Sequence, residues 1–106
     1  GLGDVYKRQA LAQLGSRGIL AVNVGDDPPL DFFVAQAAAL DAAAADAGLP
    51  GPWTLTDAGM LTGRCPGNLI LAAGPGLGEE HRARLEAAGP HPAAVLDPVR
   101  TRAFRP

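Results

Sequence analysis

Lysine, tyrosine, tryptophan, methionine and cysteine each occur once in this chain of 106 residues, and aromatics make up 5% of it. A single cysteine, Cys65, excludes an internal disulfide and a thiolate metal cluster, and makes a cytosolic setting the default. No apolar run approaches the roughly 20 residues that cross a bilayer. The longest candidate, Ala35–Ala47, is interrupted by Asp41 and Asp46. The arginines are scattered rather than striped and the formal charge is −2, so no nucleic-acid footprint is present. His81 lies in a polar stretch and His91 between two prolines; neither has a second ligand at metal spacing, so no metal site is expected.

The only Lys and the only Tyr, Lys7 and Tyr6, both fall in the first nine residues. Asp4–Gln9 is the translation of GAT GTG TAT AAG AGA CAG, which resembles the mosaic-end adaptor of transposase-based sequencing libraries. Beyond residue 9 the chain is crowded with Ala, Gly and Pro, and its basic charge comes from Arg alone, as GC-rich coding gives. Residues 1–9 are therefore read as an adaptor scar and set aside. Without Asp4, Lys7 and Arg8 the charge becomes −3, and about 97 residues remain, enough for one small domain or a piece of a larger one.

Glycine and proline, at 14 and 10 residues, punctuate the remainder. Ala10–Leu14 reads as the end of a helix, closed by Gly15 and Gly18. Residues 19–24, Ile-Leu-Ala-Val-Asn-Val, are apolar on both faces apart from Asn23, which predicts a strand covered on both sides, as in a parallel sheet. Asp26 or Asp27 can cap a following helix with Pro28 or Pro29 in its first turn. Leu30, Phe33, Val34, Ala37, Leu40 and Ala44 form the buried stripe of that helix, and Gly48 ends it. Strands are predicted at 53–57 and 68–73. The roughly ten residues between them are too few for a comfortable helical crossover, so the two are expected to be antiparallel neighbours. A short charged helix follows over 79–88, Pro90-His91-Pro92 breaks the chain, 93–96 is a brief extended piece, and Asp97-Pro98 caps a final turn.

In an α/β sheet, ligands sit beyond the carboxyl ends of the strands. That rule singles out Asn23, Asp26 and Asp27 as substrate-binding candidates. The adjacent carboxylates suit a cationic amine, although both are also ordinary helix-start residues. Asn23 either points its amide into a pocket or bonds a neighbouring loop. Cys65 reads as a buried or half-buried inert thiol. Gly74-Pro75-Gly76-Leu77-Gly78 lacks the Lys-Ser/Thr of a phosphate loop and is discounted. Trp53 reads as packing at a strand start.

The run Ser16–Leu30, Ser-Arg-Gly-Ile-Leu-Ala-Val-Asn-Val-Gly-Asp-Asp-Pro-Pro-Leu, with Phe33-Val34-Ala35-Gln36 after it, resembles spermidine synthase-like proteins of GC-rich bacteria. Leu61–Ala72 is similar to the hairpin and last strand of that family, and His91–Leu96 to its tail. The likeness covers roughly residues 10–104. It implies an α/β fold: the C-terminal half of a methyltransferase-like Rossmann sheet, comprising strands 5–7 with the last strand antiparallel. Residues 68–73 should then lie between 19–24 and 53–57. The parent it implies moves an aminopropyl group from decarboxylated S-adenosylmethionine to a polyamine. The family's glycine-rich cofactor loop, ribose-binding acid and catalytic acid belong to strands 1, 2 and 4, so no catalytic or cofactor-binding residue is assigned within residues 10–106, and the fragment is expected to be inactive. Asp26 is the residue the likeness ties to the acceptor amine. The alternatives are an S-adenosylmethionine-dependent methyltransferase and a non-catalytic Rossmann module fused to a transporter. Homodimerisation and a membrane-domain fusion stay open for the parent.

Overall fold

In the computed structural model, residues 2–88 and 93–106 are described, with side chains from Tyr6 to Ala87 and from Ala93 onward. The Pro90-His91-Pro92 break and the tail's His91 lie outside the described residues. The protein is mixed α/β. Its elements are α1 (Leu2–Ala12), β1 (Leu20–Asp26), α2 (Asp31–Asp46), β2 (Trp53–Asp57), β3 (Gly67–Ala73), α3 (Arg82–Ala88), β4 (Ala93–Leu96) and α4 (Pro98–Ala103). Short 3-10 helices occupy Ala58–Thr62 and Glu79–His81. Among the described residues, no helix is long and apolar enough to cross a membrane.

The four strands form one sheet in the order β1-β3-β2-β4, and every neighbouring pair is antiparallel. β1 and β2 both oppose β3 and so share a direction, with β3 between them as expected. β4 adds a strand to the far side of β2, with Leu55 opposite Val95.

One face of the sheet is closed. Val24, Leu69 and Leu71 meet Phe33, Ala37, Leu40 and Ala44 of α2, with Leu11 of α1 joining the same cluster. Of the stripe foreseen for α2, Phe33, Ala37, Leu40 and Ala44 are buried, as is Leu30 just before the helix; Val34 is half-buried, and Ala43 is buried without having been foreseen. Phe33 also meets Phe104, just after α4, edge to face at 5.9 Å. The other face carries a smaller cluster of Trp53, Ala72, Leu77 and Val95, with Leu55 and Leu85 against it.

The expectation that β1 is covered on both faces is corrected. Val24 is buried, but Ala21, Asn23 and Gly25 of the alternate face are exposed, and Ile19 before them is 48% exposed. Successive strand residues point to opposite faces, and helices cover only one face of β1.

The start of α2 is also corrected. The helix begins at Asp31, after Pro28 and Pro29, and Leu30 occupies the cap position with φ 67°. A left-handed leucine costs roughly 1–2 kcal/mol. The conformation is offset because it drives Leu30 into full burial beside Phe33. At the other end, Gly48 has φ 72°, its N–H reaches Ala45 O, and Leu49 N–H reaches Ala44 O at 2.9 Å. That pair of bonds closes the helix where glycine was expected to stop it.

The 74–78 glycines have a packing cause. A Cβ on Gly74 would stand 2.3 Å from Gly18 O, and one on Gly76 would stand 2.1 Å from Arg17 O. The loops before β1 and after β3 touch backbone to backbone, with Gly76 N–H bonded to Gly18 O at 3.0 Å. Residues of the adaptor-like segment prolong α1, whose Tyr6 is 68% exposed.

Candidate functional site

The covered part of the second face ends short of β1, and a groove of about 640 Å³ opens there. Leu55, Ile70, Leu85 and Met60 supply its apolar walls; Asn23, Asp57, Cys65 and Asn68 supply polar groups. It lies toward the carboxyl ends of the co-directional strands β1 and β2, where sheet ligands are ordinarily taken. Its volume falls within the range of small-molecule sites, about 300–1,000 Å³, and mostly apolar walls with a few polar groups are their usual lining.

Asn23 belongs to this groove. It stands opposite Ile70 in the ladder, is exposed, and forms no side-chain hydrogen bond among the described residues. Its side chain lines the groove, and no bond to a neighbouring loop is formed among the described residues.

Asp26 is elsewhere. It lies three positions from Asn23, and an odd separation along a strand puts two side chains on opposite faces. Its carboxylate turns to the start of α2, where Oδ2 accepts the Phe33 N–H and Oδ1 the Asp27 N–H, each at 2.8 Å. Asp26 therefore caps α2 from the end of β1 rather than from the adjoining position. No basic side chain pairs with it among the described residues, so its charge is met only by backbone N–H groups and the helix terminus. Asp27 is exposed in the turn and makes no side-chain bond among the described residues. The three candidates thus form no single cluster.

Cys65 is exposed at the groove, which corrects the expectation of a packed thiol. Cys65 lies in the connection between β2 and β3, two residues after Gly63, whose φ is 68°. Asp57 and Asn68 were passed over in the sequence. Asp57 ends the second co-directional strand and holds Gly59 N–H at 2.7 Å. Asn68 lies across the ladder from Gly25, its Oδ1 3.3 Å from where a Cβ there would stand. The signal that could have found them is the one used for Asn23: a polar residue on the alternate face near a strand end.

His81 is a local residue. Its Nδ1 accepts the Gly78 N–H at 3.1 Å, so the 3.7 Å approach of the same nitrogen to Glu80 is no ion pair in that state. Among the described residues no group of three His, Cys, Asp or Glu could hold a metal ion. Trp53 is buried as packing, with the Arg82 guanidinium 5.3 Å from its ring centre. Arg82 also grips Glu79 Oε1 at 2.6 Å and reaches Asp97 Oδ2 at 3.4 Å. That hydrogen bond holds the Glu79 carboxyl below its ordinary range and raises Arg82. These contacts tie α3, which walls the groove through Leu85, to β2 and β4.

Compared with known proteins, the chain matches no family model, no curated protein sequence and no solved structure.

Proposed function

We propose that residues 10–106 are the closing strands of a spermidine synthase-like aminopropyltransferase, built on the last part of a methyltransferase-type Rossmann sheet. The observation that carries the reading is the order β1-β3-β2: two co-directional strands joined through a helix, with the next strand reversed between them. Strands 5, 7 and 6 of a methyltransferase-type sheet take that order, and β4 is an addition beyond it. A groove at the carboxyl ends of β1 and β2 supports the reading further.

In the parent reaction the lone pair of a polyamine amine attacks the carbon beside the sulfonium of decarboxylated S-adenosylmethionine. The new C–N bond forms as the C–S bond breaks, the sulfur keeps the electron pair as a neutral thioether, and the amine gives up a proton. The part proposed for this chain is to hold the amine. Asp26 is oriented by two backbone N–H bonds yet has no cationic partner among the described residues, which suits an ammonium. Asn23 lines the groove on the other face, and Asp27 lies in the turn beyond Asp26.

The test begins with the unbroken genomic sequence upstream of the Ala10 codon. A glycine-rich loop after a first strand and an acid after a fourth support the enzyme; their absence favours the non-catalytic module. The protein encoded there is then titrated calorimetrically with decarboxylated S-adenosylmethionine and with a polyamine separately. Asp26→Asn should weaken the polyamine about tenfold and leave the nucleoside unchanged, because only the amine is cationic. Equal loss for both removes Asp26 from the site. Methyl transfer from S-adenosylmethionine selects the methyltransferase reading instead.

A further inference from the structure

The groove on the second face is built almost wholly from the interior of the sheet. β2, β3, β4, α3 and the 58–66 connection supply its lining, and the edge strand β1 adds only Asn23. Leu55 and Ile70 stand opposite each other in the ladder and share this face. Ile70 is 39% exposed, and Leu55 and Leu85 are half-buried. Met60 packs over the start of β3, its sulfur 2.7 Å from where a Cβ on Gly67 would stand. The groove therefore keeps apolar surface in contact with water, and an apolar ligand that covered it would gain the free energy of its burial.

One charge stands among these walls. Asp57 lies two residues after Leu55 on β2 and so points to the same face. Among the described residues no Lys, Arg or His lines the groove, and no basic side chain pairs with Asp57. Its Oδ1 accepts the Gly59 N–H at 2.7 Å, which fixes the carboxylate at the end of the strand. Its Oδ2 has no hydrogen-bond partner among the described residues. A neutral or anionic ligand seated here would strip water from the carboxylate and return nothing for it, whereas a cation compensates that loss.

We propose that this groove binds a small organic amine carried on an apolar body, of the arylalkylamine class, with Asp57 pairing the ammonium and Leu55, Ile70 and Leu85 covering the body. The volume of about 640 Å³ holds a molecule of that size, and the Met60 thioether is a favourable neighbour for an aromatic ring. The site is separate from Asp26, whose carboxylate turns to α2 on the opposite face and which the aminopropyltransferase reading assigns to the polyamine. It goes beyond that reading and does not depend on it, since every residue it uses lies within β2, β3, α3 and the connection between β2 and β3.

The test is a chemical-shift titration of the 106-residue chain with 2-phenylethylamine, 2-phenylethanol and ethylamine in turn. Phenylethylamine should give saturable shifts at the amides of Leu55, Asp57 and Ile70. The alcohol keeps the ring without the charge, ethylamine keeps the charge without the ring, and each should bind at least tenfold more weakly. Asp57→Asn retains an oxygen for the Gly59 N–H and loses the charge, so it should weaken phenylethylamine at least tenfold and leave the urea midpoint near that of the wild type. Ile70→Lys, which sets a cation among the apolar walls and leaves the Asp57 turn intact, should do the same to phenylethylamine. Asp31→Asn makes the same charge change on an exposed residue of α2, across the sheet, and should bind phenylethylamine as the wild type does. The proposal is overturned by the absence of saturable shifts, by the alcohol or ethylamine binding as tightly, by unchanged affinity in Asp57→Asn or Ile70→Lys, or by an equal loss in Asp31→Asn. None of those results bears on the aminopropyltransferase reading, which is decided by the upstream sequence and the cofactor titration.

Discussion

The two faces of the sheet are made by the same strands and have different fates. On the α2 side, Leu30, Phe33, Leu40, Leu69 and Leu71 are essentially without solvent exposure. On the other side, Trp53, Ala72 and Val95 are covered near α3, while Ile70 remains 39% exposed and Asn23 and Asn68 face solvent. The closed face carries the stability, and the half-open face carries the groove. Burial of apolar surface is worth about 25 cal/mol per Å², so a face that leaves part of its surface wet forgoes that stabilisation and keeps room for a ligand.

The largest contrast should come from truncating one residue on each face. Phe33→Ala opens a cavity where Phe104 and α2 meet the sheet, and a loss of roughly 3–5 kcal/mol is expected from urea denaturation. Ile70→Ala, on the open face, should cost less than about 1.5 kcal/mol, since its side chain is already partly hydrated. Equal losses would erase the distinction between the faces.

The closed side also holds a polar pair. Thr54 and Thr101 share a buried hydrogen bond of 2.8 Å that ties α4 to β2. Thr101→Val should leave the Thr54 hydroxyl unpaired and lower stability by about 1–3 kcal/mol. A denaturation midpoint unchanged from wild type would show that the hydroxyl finds another partner.

Asp26→Ala removes the acceptor for the Phe33 N–H in the first turn of α2 and for the Asp27 N–H in the turn before it. A loss of about 1–2 kcal/mol is expected, with faster amide exchange at Phe33 as the local readout. Slow exchange at Phe33 in that variant would show that the carboxylate is not its cap.

The smallest effect belongs to the cover of the half-open face. Arg82 lowers the Glu79 carboxyl, so this pair stabilises the fold above the ordinary carboxylate range and the contribution fades as pH falls through the lowered value. Glu79 is fully exposed, so the slope is shallow. Urea midpoints measured through the acid range should show it in the wild type and lose it in Arg82→Ala. That variant should also fluoresce differently at Trp53, over which Arg82 sits. An identical pH dependence in both proteins would remove the pair from the cover.

Much of this was legible in residue order. Gly48, the Leu30-to-Ala44 spacing, the short 57–68 connection and Asp97-Pro98 each act within a few residues, and each marks an element of the fold. Asp97 accepts Arg100 N–H at 2.8 Å, as its place before proline suggested. Local signals of this kind depend on backbone bonds and side-chain periods that a short segment contains in full.

Partners far along the chain decided the rest. Both faces of residues 19–24 are apolar enough to be buried, and only the placement of α1 and α2 selected Val24 over Ala21. Asp26 caps α2 across seven residues because Leu30, pulled into the core, sets the helix start beyond the prolines. The groove beside Asn23 lies where the second cluster, with Leu85 of α3 against it, gives way to the exposed part of the second face. Burial is a property of the packed layers: the sequence by itself sets which residues can be covered, and tertiary contact determines which of them are.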